Sequence, residues 1–556
     1  MRKLWVVVLA VLLVLTGCTS LPRSGAVVEA ERRIPPGYGV DVLAEGPAPG
    51  ASPEDIVEGF LRASAYGHAD DFMVASQYLA DGVLWNPLEQ VRVYAADSSP
   101  TYTTSSDGGI SVTVDQVATV DSVGRYRIDE ESDHTSRFSL VRSSDEQWRI
   151  ASLEGGLLVS DINFRQTFGV SSLHFLTQDI SATVPELRWY PLQDRVTHIV
   201  AGLLDGPSGW MQVGVTTAFP PGTELGPGGV SVADGLAVID LTNEILEAND
   251  QQLALAYAQL TATLATVAGV ATIEIRTPNA VVDPPEFAVD LALPQSAPGP
   301  VLLASGQLAR YSGSGLQVIP GTPDLSDRNP RDPAVPHEDV DAPRVVIADD
   351  GASLLTVPDN GSEPAVLFSG TDLVPPSTDR YGWIWTGSAA DASSLVTMRG
   401  DGTENRIGAS WLQGRTLSHV RVADDGARAV VVSHSGLDTF VELVGVGRDG
   451  LGRPRALGEP LQIAESLDQV LDVAWVDQTS LVVLGSQLSE GAARVYRVSI
   501  GGPITILPAV EDAVSVASNR NERSVVVATE DGYLYVRSGA GWRSVLTGIR
   551  DPVFSG

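Results

Sequence analysis

The chain has 556 residues, with 69 acidic side chains against 36 basic ones and a formal net charge of -33. Such a polyanion repels phosphate backbones and anionic lipid head groups, which argues against a nucleic-acid ligand and against purely electrostatic membrane binding. A single cysteine, Cys18, and a single lysine, Lys3, exclude an intramolecular disulfide, a zinc site built on two or more cysteines and, beyond the first residues, a P-loop, Schiff-base or Ser-Lys lysine.

Arg2 and Lys3 precede an unbroken apolar run from Leu4 to Leu15. A membrane span needs roughly 20 apolar residues and a secretory h-region only about 7 to 15, so residues 1–17 read as a signal peptide. Leu15-Thr16-Gly17-Cys18 follows at once and resembles the lipobox of bacterial lipoproteins. The resemblance implies cleavage between Gly17 and Cys18, S-diacylglycerol and N-acyl groups (palmitate among them) on Cys18, and attachment to the extracytoplasmic face of the cell membrane. A plain secretory signal with an incidental cysteine is the alternative. Residues 18–50 then form the lipidated cysteine and a tether, since Thr19 to Gly50 holds Pro22, Pro35, Pro36, Pro47 and Pro49 with five glycines.

At roughly 100–200 residues per domain the length predicts about three to five domains. The first folded region, 51–168, opens at Ser52-Pro53-Glu54-Asp55, a capping box with proline at the first helical position. Its helix places Ile56, Val57, Phe60 and Leu61 on one face, and a second helix is expected over Phe72 to Leu79. The period then changes to two, predicting strands over Gln90 to Ala95, Gly109 to Val120, Arg125 to Ile128, Arg137 to Arg142 and Gln147 to Leu153. Helices followed by an antiparallel sheet give an α+β domain whose element order resembles NTF2-like cones.

The second region, 169–290, contains Leu173-His174-Phe175-Leu176, a helix ending at Gly206-Pro207, the strand Leu236 to Leu241, a helix from Gln251 to Val267, and Gly269 leading into a strand through Ile275. These phrases resemble the GerMN domain of cell-envelope proteins.

From 291 to 556 helical periodicity disappears and short valine-rich strands recur. Val345 to Ala352 and Val420 to Ala427 share an Asp-Asp-Gly turn followed by another apolar strand. Taking Ala304, Ala348, Ala389, Ala423, Val476 and Ala517 as equivalent gives intervals of 44, 41, 34, 53 and 41 residues. That is the spacing of four-stranded propeller blades, about five or six of them, with Asp551 to Phe554 expected to close the ring on the first blade. Two sandwiches are the alternative, but they give no reason for a repeat.

Little in the chain nominates chemistry. Gly445-Val446-Gly447-Arg448-Asp449-Gly450 matches G-x-G-x-x-G, yet Leu451-Gly452-Arg453-Pro454 cannot open the helix a dinucleotide site needs, so a blade hairpin is expected. The seven histidines, His68, His134, His174, His198, His337, His419 and His434, show no metal-ligand spacing. The acidic run Asp324 to Asp341 lacks a calcium-loop pattern and reads as a solvated connection between blades. Tyr381, Trp383 and Trp385 alternate onto one strand face, as packing between blades requires. No catalytic residue, cofactor or metal is expected.

The lipobox, the Pro35-Pro36-Gly37-Tyr38-Gly39-Val40 segment, two α+β domains and a propeller together resemble the LpqB lipoproteins of actinobacteria. The resemblance implies a non-enzymatic accessory of the MtrA/MtrB two-component system that contacts the extracytoplasmic domain of an MtrB-type sensor kinase, in signalling linked to cell-envelope homeostasis. A cell-wall glycan-binding lipoprotein and a propeller hydrolase or lyase are the competing readings.

Overall fold

The computed structural model describes residues 45–556 except 107, 288, 294–298 and 488–491. The signal segment, Gly17, Cys18 and the Pro35 to Val40 segment lie outside the described residues. The final residues of the stretch read as tether are held in place: the Tyr78 hydroxyl donates to the Glu45 carbonyl (2.8 Å) and the Gly50 amide to Gln147 Oε1 (2.6 Å).

The first helix, Pro53–Ala65, starts where its capping box predicts, with the Asp55 amide donating to Ser52 Oγ and the Ser52 amide to the Asp55 carboxylate. It buries Ile56, Val57 and Phe60 against a sheet, while Leu61 sits at the margin of that core. The sheet runs in the order Trp148–Ser152, Tyr126–Arg142, Ile110–Asp121, Gln90–Tyr94, Leu157–Ser160, with Thr101–Thr104 added to Ile110–Asp121.

Three expectations for this domain need correction. The helix expected over Phe72 to Leu79 is a single turn, Met73–Ser76, because Tyr78 and Ala80 bond in ladder fashion to Ile150. The strands expected over Arg125 to Ile128 and Arg137 to Arg142 are the two ends of one 17-residue strand, Tyr126–Arg142. The acidic residues between them imitate a turn, but pairing with Ile110–Asp121 continues through a bulge near Gln116. The sheet is also mixed rather than antiparallel, since Leu157–Ser160 pairs in parallel with Gln90–Tyr94.

In the middle domain the hairpin Phe168–Thr177 and Thr183–Pro191 faces a second sheet, Leu225–Ala233, Leu236–Leu241, Thr272–Thr277 and Ala280–Val282. Leu236–Leu241 and Thr272–Thr277 are parallel, joined by the crossover helix Asp250–Leu264. Gly206 and Gly269, at φ 90° and 89°, follow the two helices in the left-handed conformation that terminates them. Gly202 lies inside the helix Arg195–Leu204 for a different reason: a Cβ there would meet the Tyr190 hydroxyl at 1.9 Å.

The last region is a propeller of six blades. Their innermost strands, in ring order, are Ile549–Val553, Arg331–Ala334, Ser377–Thr378, Thr416–Val422, Gln469–Asp477 and Ala513–Ala517. Ile549–Val553 pairs with Val301–Ala304, so the segment at 551–554 closes the ring on the first blade as expected.

The repeat register is corrected by one strand. Asp349-Asp350-Gly351 joins the second and third strands of blade two, whereas Asp424-Asp425-Gly426 joins the first and second strands of blade four. Ala304, Ala348 and Ala389 therefore mark second strands, and Ala423, Val476 and Ala517 mark first strands. This one-strand shift falls between Ala389 and Ala423, the pair with the shortest interval, 34 residues. Trp383 and Trp385 are buried in the packing between blades, with Tyr381 and Trp411 at its edge. The run Asp324 to Asp341 is not wholly a connection, since Arg331–Ala334 inside it forms an innermost strand.

Candidate functional site

Two features concentrate polar chemistry in the described residues: a clamp that fixes the middle domain on the propeller, and a cavity at the adjoining end of the propeller channel.

The clamp begins with Arg428, fully buried on the second strand of blade four. Its Nε and Nη2 donate to Asp425 Oδ2 at 3.0 and 2.6 Å, and its Nη1 donates to the Pro185 carbonyl of the middle domain at 3.2 Å. The guanidinium also lies 5.3 Å from the Trp475 ring centroid. A buried charge needs such complete pairing, because desolvation otherwise outweighs the Coulombic gain. Around it, Gln478 Nε2 donates to the Thr183 carbonyl (3.1 Å), Trp189 Nε1 to the Gly501 carbonyl (2.9 Å) and the Arg448 amide to Gln178 Oε1 (2.8 Å).

Glycines make the close approach possible. The Gly445 amide donates to the Trp210 carbonyl at 2.9 Å, and a Cβ on Gly445 or Gly458 would stand 2.8 or 2.3 Å from that oxygen. The G-x-G-x-x-G match is thus a blade hairpin, as expected, with its first glycine used for domain docking. One apolar cluster continues across the junction, from Leu173, Ile199 and Ile275 to Val430, Leu443 and Val483. The first domain joins the same body: Arg188, paired with Glu186 at 3.0 Å in the interior, donates to the Val123 carbonyl, and Trp189 packs beside Tyr126 and Phe164.

The cavity has a volume of about 370 Å³ and is lined by the innermost strands and the turns that follow them. It shares Asp425, Trp475 and Gln478 with the clamp. Asp472 accepts from the amides of Val473 (2.8 Å) and Val516 (2.9 Å), with Arg421 Nη2 at 3.4 Å and His419 Nε2 at 3.6 Å. Burial, then the Arg421 charge, pushes His419 down to about 3, so it is neutral. Across the channel Asp551 Oδ2 accepts the Asp332 amide at 3.2 Å. Burial, reinforced by the Asp332 carboxylate, raises Asp551 to about 6.

Apart from His434, whose Nε2 shares Ser418 Oγ with His419 Nδ1 (3.2 Å each), the other histidines do not converge. His68 packs on Phe72 and Phe168, His174 contacts Thr183, His198 stacks on Tyr190, His134 faces Ser136 and Glu154, and His434 contacts Thr439 and Ser418. His337 is buried 3.7 Å from Asp424. Among the described residues no cluster of three or more histidine, cysteine, aspartate or glutamate side chains is arranged for a metal. Also among them, no helix is long and apolar enough to cross a membrane. The sequence reading missed Arg428, Asp425, Asp332 and Asp551; the signal available for the last two was the repeated triplet Arg331-Asp332-Pro333 and Arg550-Asp551-Pro552.

What fold and site define is a propeller-based, multidomain protein in which two α+β domains are docked on one side of a six-bladed ring. Descriptions of known domain families cover most of the chain: "Lipoprotein LpqB, N-terminal domain" matches residues 46–165, "Sporulation and spore germination" 172–280, and "Lipoprotein LpqB beta-propeller domain" 306–555. The chain belongs to the LpqB lipoprotein family. It is 26% identical to Lipoprotein LpqB of Cutibacterium acnes over 97% of both chains, and 27% identical to that of Streptomyces avermitilis over 98% of this chain and 96% of that one. Among solved structures, a nidogen/laminin complex matches 46% of this chain and 97% of its own at 11% identity and a TM-score of 0.36.

Proposed function

We propose that this lipoprotein is anchored through Cys18 to the extracytoplasmic face of the cell membrane and acts, without catalysis, as an accessory modulator of an MtrB-type sensor kinase in envelope homeostasis. The observation that carries the reading is the interdomain clamp. Buried Arg428 and Arg188 and half-buried Trp189 pack the three domains into one acidic body, a form suited to presenting a fixed surface to a partner. The relatives' shared name supports the lipid anchor, and two acyl chains on Cys18 suffice for stable attachment where one does not. Anchoring would also raise the effective concentration toward a membrane-bound partner.

The test is co-purification of the full-length protein from membranes with the kinase's extracytoplasmic domain. Association is expected, and its absence at every concentration reached would refute the partner. A parallel pull-down on purified peptidoglycan separates this reading from glycan binding. Labelling with a radioactive fatty acid should mark the parent and not Cys18→Ala.

A further inference from the structure

We infer that the cavity where the three domains meet is a binding site for a small, uncharged, hydroxyl-rich molecule of the sugar or cyclic-polyol class, held between the Trp210 indole N–H and the Glu186 carboxylate. The inference does not depend on the kinase reading, and the site is separate from the channel cavity.

This second cavity has a volume of about 370 Å³. The first domain contributes Gln90, Thr119 and the turn at Tyr126, the middle domain Glu186 and Trp210, and the propeller the segments 461–465 and 498–502. Gly501, at φ 78°, lets the last segment close on the middle domain: a Cβ there would stand 3.2 Å from the Leu187 carbonyl oxygen.

Two polar groups in these walls are nearly buried and unspent. Trp210 is 7% exposed, and its Nε1 has no hydrogen-bond partner among the described residues, yet the atom is not sealed in the interior. An indole N–H can only donate, so it calls for an acceptor. Glu186 is 4% exposed; its Oε2 accepts from Arg188 Nη2 (3.0 Å) and the Ser208 amide (3.1 Å). Its Oε1, also not sealed, accepts from none of the described residues and calls for a donor. A hydroxyl group can answer either need, since it both donates and accepts.

The remaining lining selects the ligand class. Asp121 is bonded to Arg125 at 2.7 Å and Glu186 to Arg188, while Arg127 and Glu465, opposite in charge, are exposed to water. A charged ligand therefore meets no unbalanced buried partner. The side chains of Gln90, Thr119, Gln462 and Ser499, by contrast, each donate and accept, and make no hydrogen bond among the described residues. Half-buried Leu187, Leu461 and Ile463 add apolar surface for the C–H face of a ring. The volume lies in the range of small-molecule sites. Because three domains supply the walls, an occupant would bridge them all and stabilise their packing by mass action.

Ligand-observed NMR on the full chain in detergent tests the site, with D-glucose, N-acetyl-D-glucosamine and myo-inositol as neutral probes and inorganic phosphate and tetramethylammonium chloride as charged ones. Saturable binding of at least one neutral probe is expected, with none for the ions. Trp210→Phe, which keeps a ring and removes the N–H, should weaken the bound probe by about tenfold, and Thr119→Val by about threefold to tenfold. Gln462→Trp, at an exposed position tolerant of bulk, should abolish binding by filling the cavity. Displacement of the probe by purified peptidoglycan would identify the occupant as a glycan end, and no displacement as a free molecule, both of the inferred class. No saturable signal from any neutral probe, an ion binding in their place, or unchanged affinity in Trp210→Phe and Gln462→Trp would each overturn the inference.

Discussion

Arg428→Ala is the perturbation that asks most directly whether the clamp holds the domains together. The substitution leaves Asp425, 1% exposed, without its counter-charge, and uncompensated buried charges of this kind cost about 3–5 kcal/mol. The Pro185 carbonyl loses a charged donor as well, worth about 1–2 kcal/mol, so a total near 5 kcal/mol is expected. Arg428→Met with Asp425→Asn should cost much less than the sum of the single changes, because the desolvated charge disappears with its partner. Lysine should rescue only in part, since it restores the charge but not the fork that reaches Asp425 and Pro185 together. Denaturant unfolding followed by tryptophan fluorescence is the assay, Trp475 lying 5.3 Å from the guanidinium. A loss below about 1 kcal/mol for Arg428→Ala, or strict additivity in the double variant, would refute the argument that this pair is an obligate, fully desolvated one.

Gly458→Ala places a methyl group 2.3 Å from the Trp210 carbonyl and should destabilise docking by about 1–3 kcal/mol, seen as faster proteolysis within residues 206–214. Asp551 binds its proton more tightly in the folded chain (about 6) than when unfolded, so its contribution falls as pH rises from about 4 to about 6. Asp551→Asn should therefore gain about 2 kcal/mol on the parent between those limits, measured as the difference in unfolding free energy at the two pH values. His68 has the opposite sign: burial lowers it to about 4, so the neutral ring's contribution is complete above about 6.5 and is lost as pH falls toward 4. His68→Phe should flatten that part of the pH–stability profile; an unchanged slope would show that the ring protonates freely.

Much of the fold was legible because it is written in local chemistry. The capping box at Ser52, the left-handed glycines after the helices and the alternation in Leu236–Leu241 need only near neighbours to be read. The short parallel strand Leu157–Ser160 was not legible, since its pairing with Gln90–Tyr94 is a tertiary event. The two Asp-Asp-Gly turns show where sequence runs out. Asp350 is an exposed turn residue bonded to Ser353, whereas Asp425 in the same motif is buried under Arg428. Both positions satisfy the same turn preference, and only the middle domain's arrival makes one of them a structural charge. The Arg-Asp-Pro repeat, by contrast, was visible in the chain, though nothing local indicated that its aspartates meet on adjacent innermost strands, the Asp551 carboxylate accepting the Asp332 amide.

Ring closure at Val301 and Val553 has a kinetic consequence. The two paired residues are roughly 250 positions apart, and bringing such distant ends together carries a loop entropy of about 5 kcal/mol before any contact repays it. Assembly of this propeller is then limited by its longest-range step, as in other folds of high contact order. Until Ile549–Val553 arrives, Val301–Ala304 stands as an open sheet edge, the kind of surface on which unfolded chains pair with one another. The interval between the first blade's formation and its closure is when this protein is most exposed to aggregation.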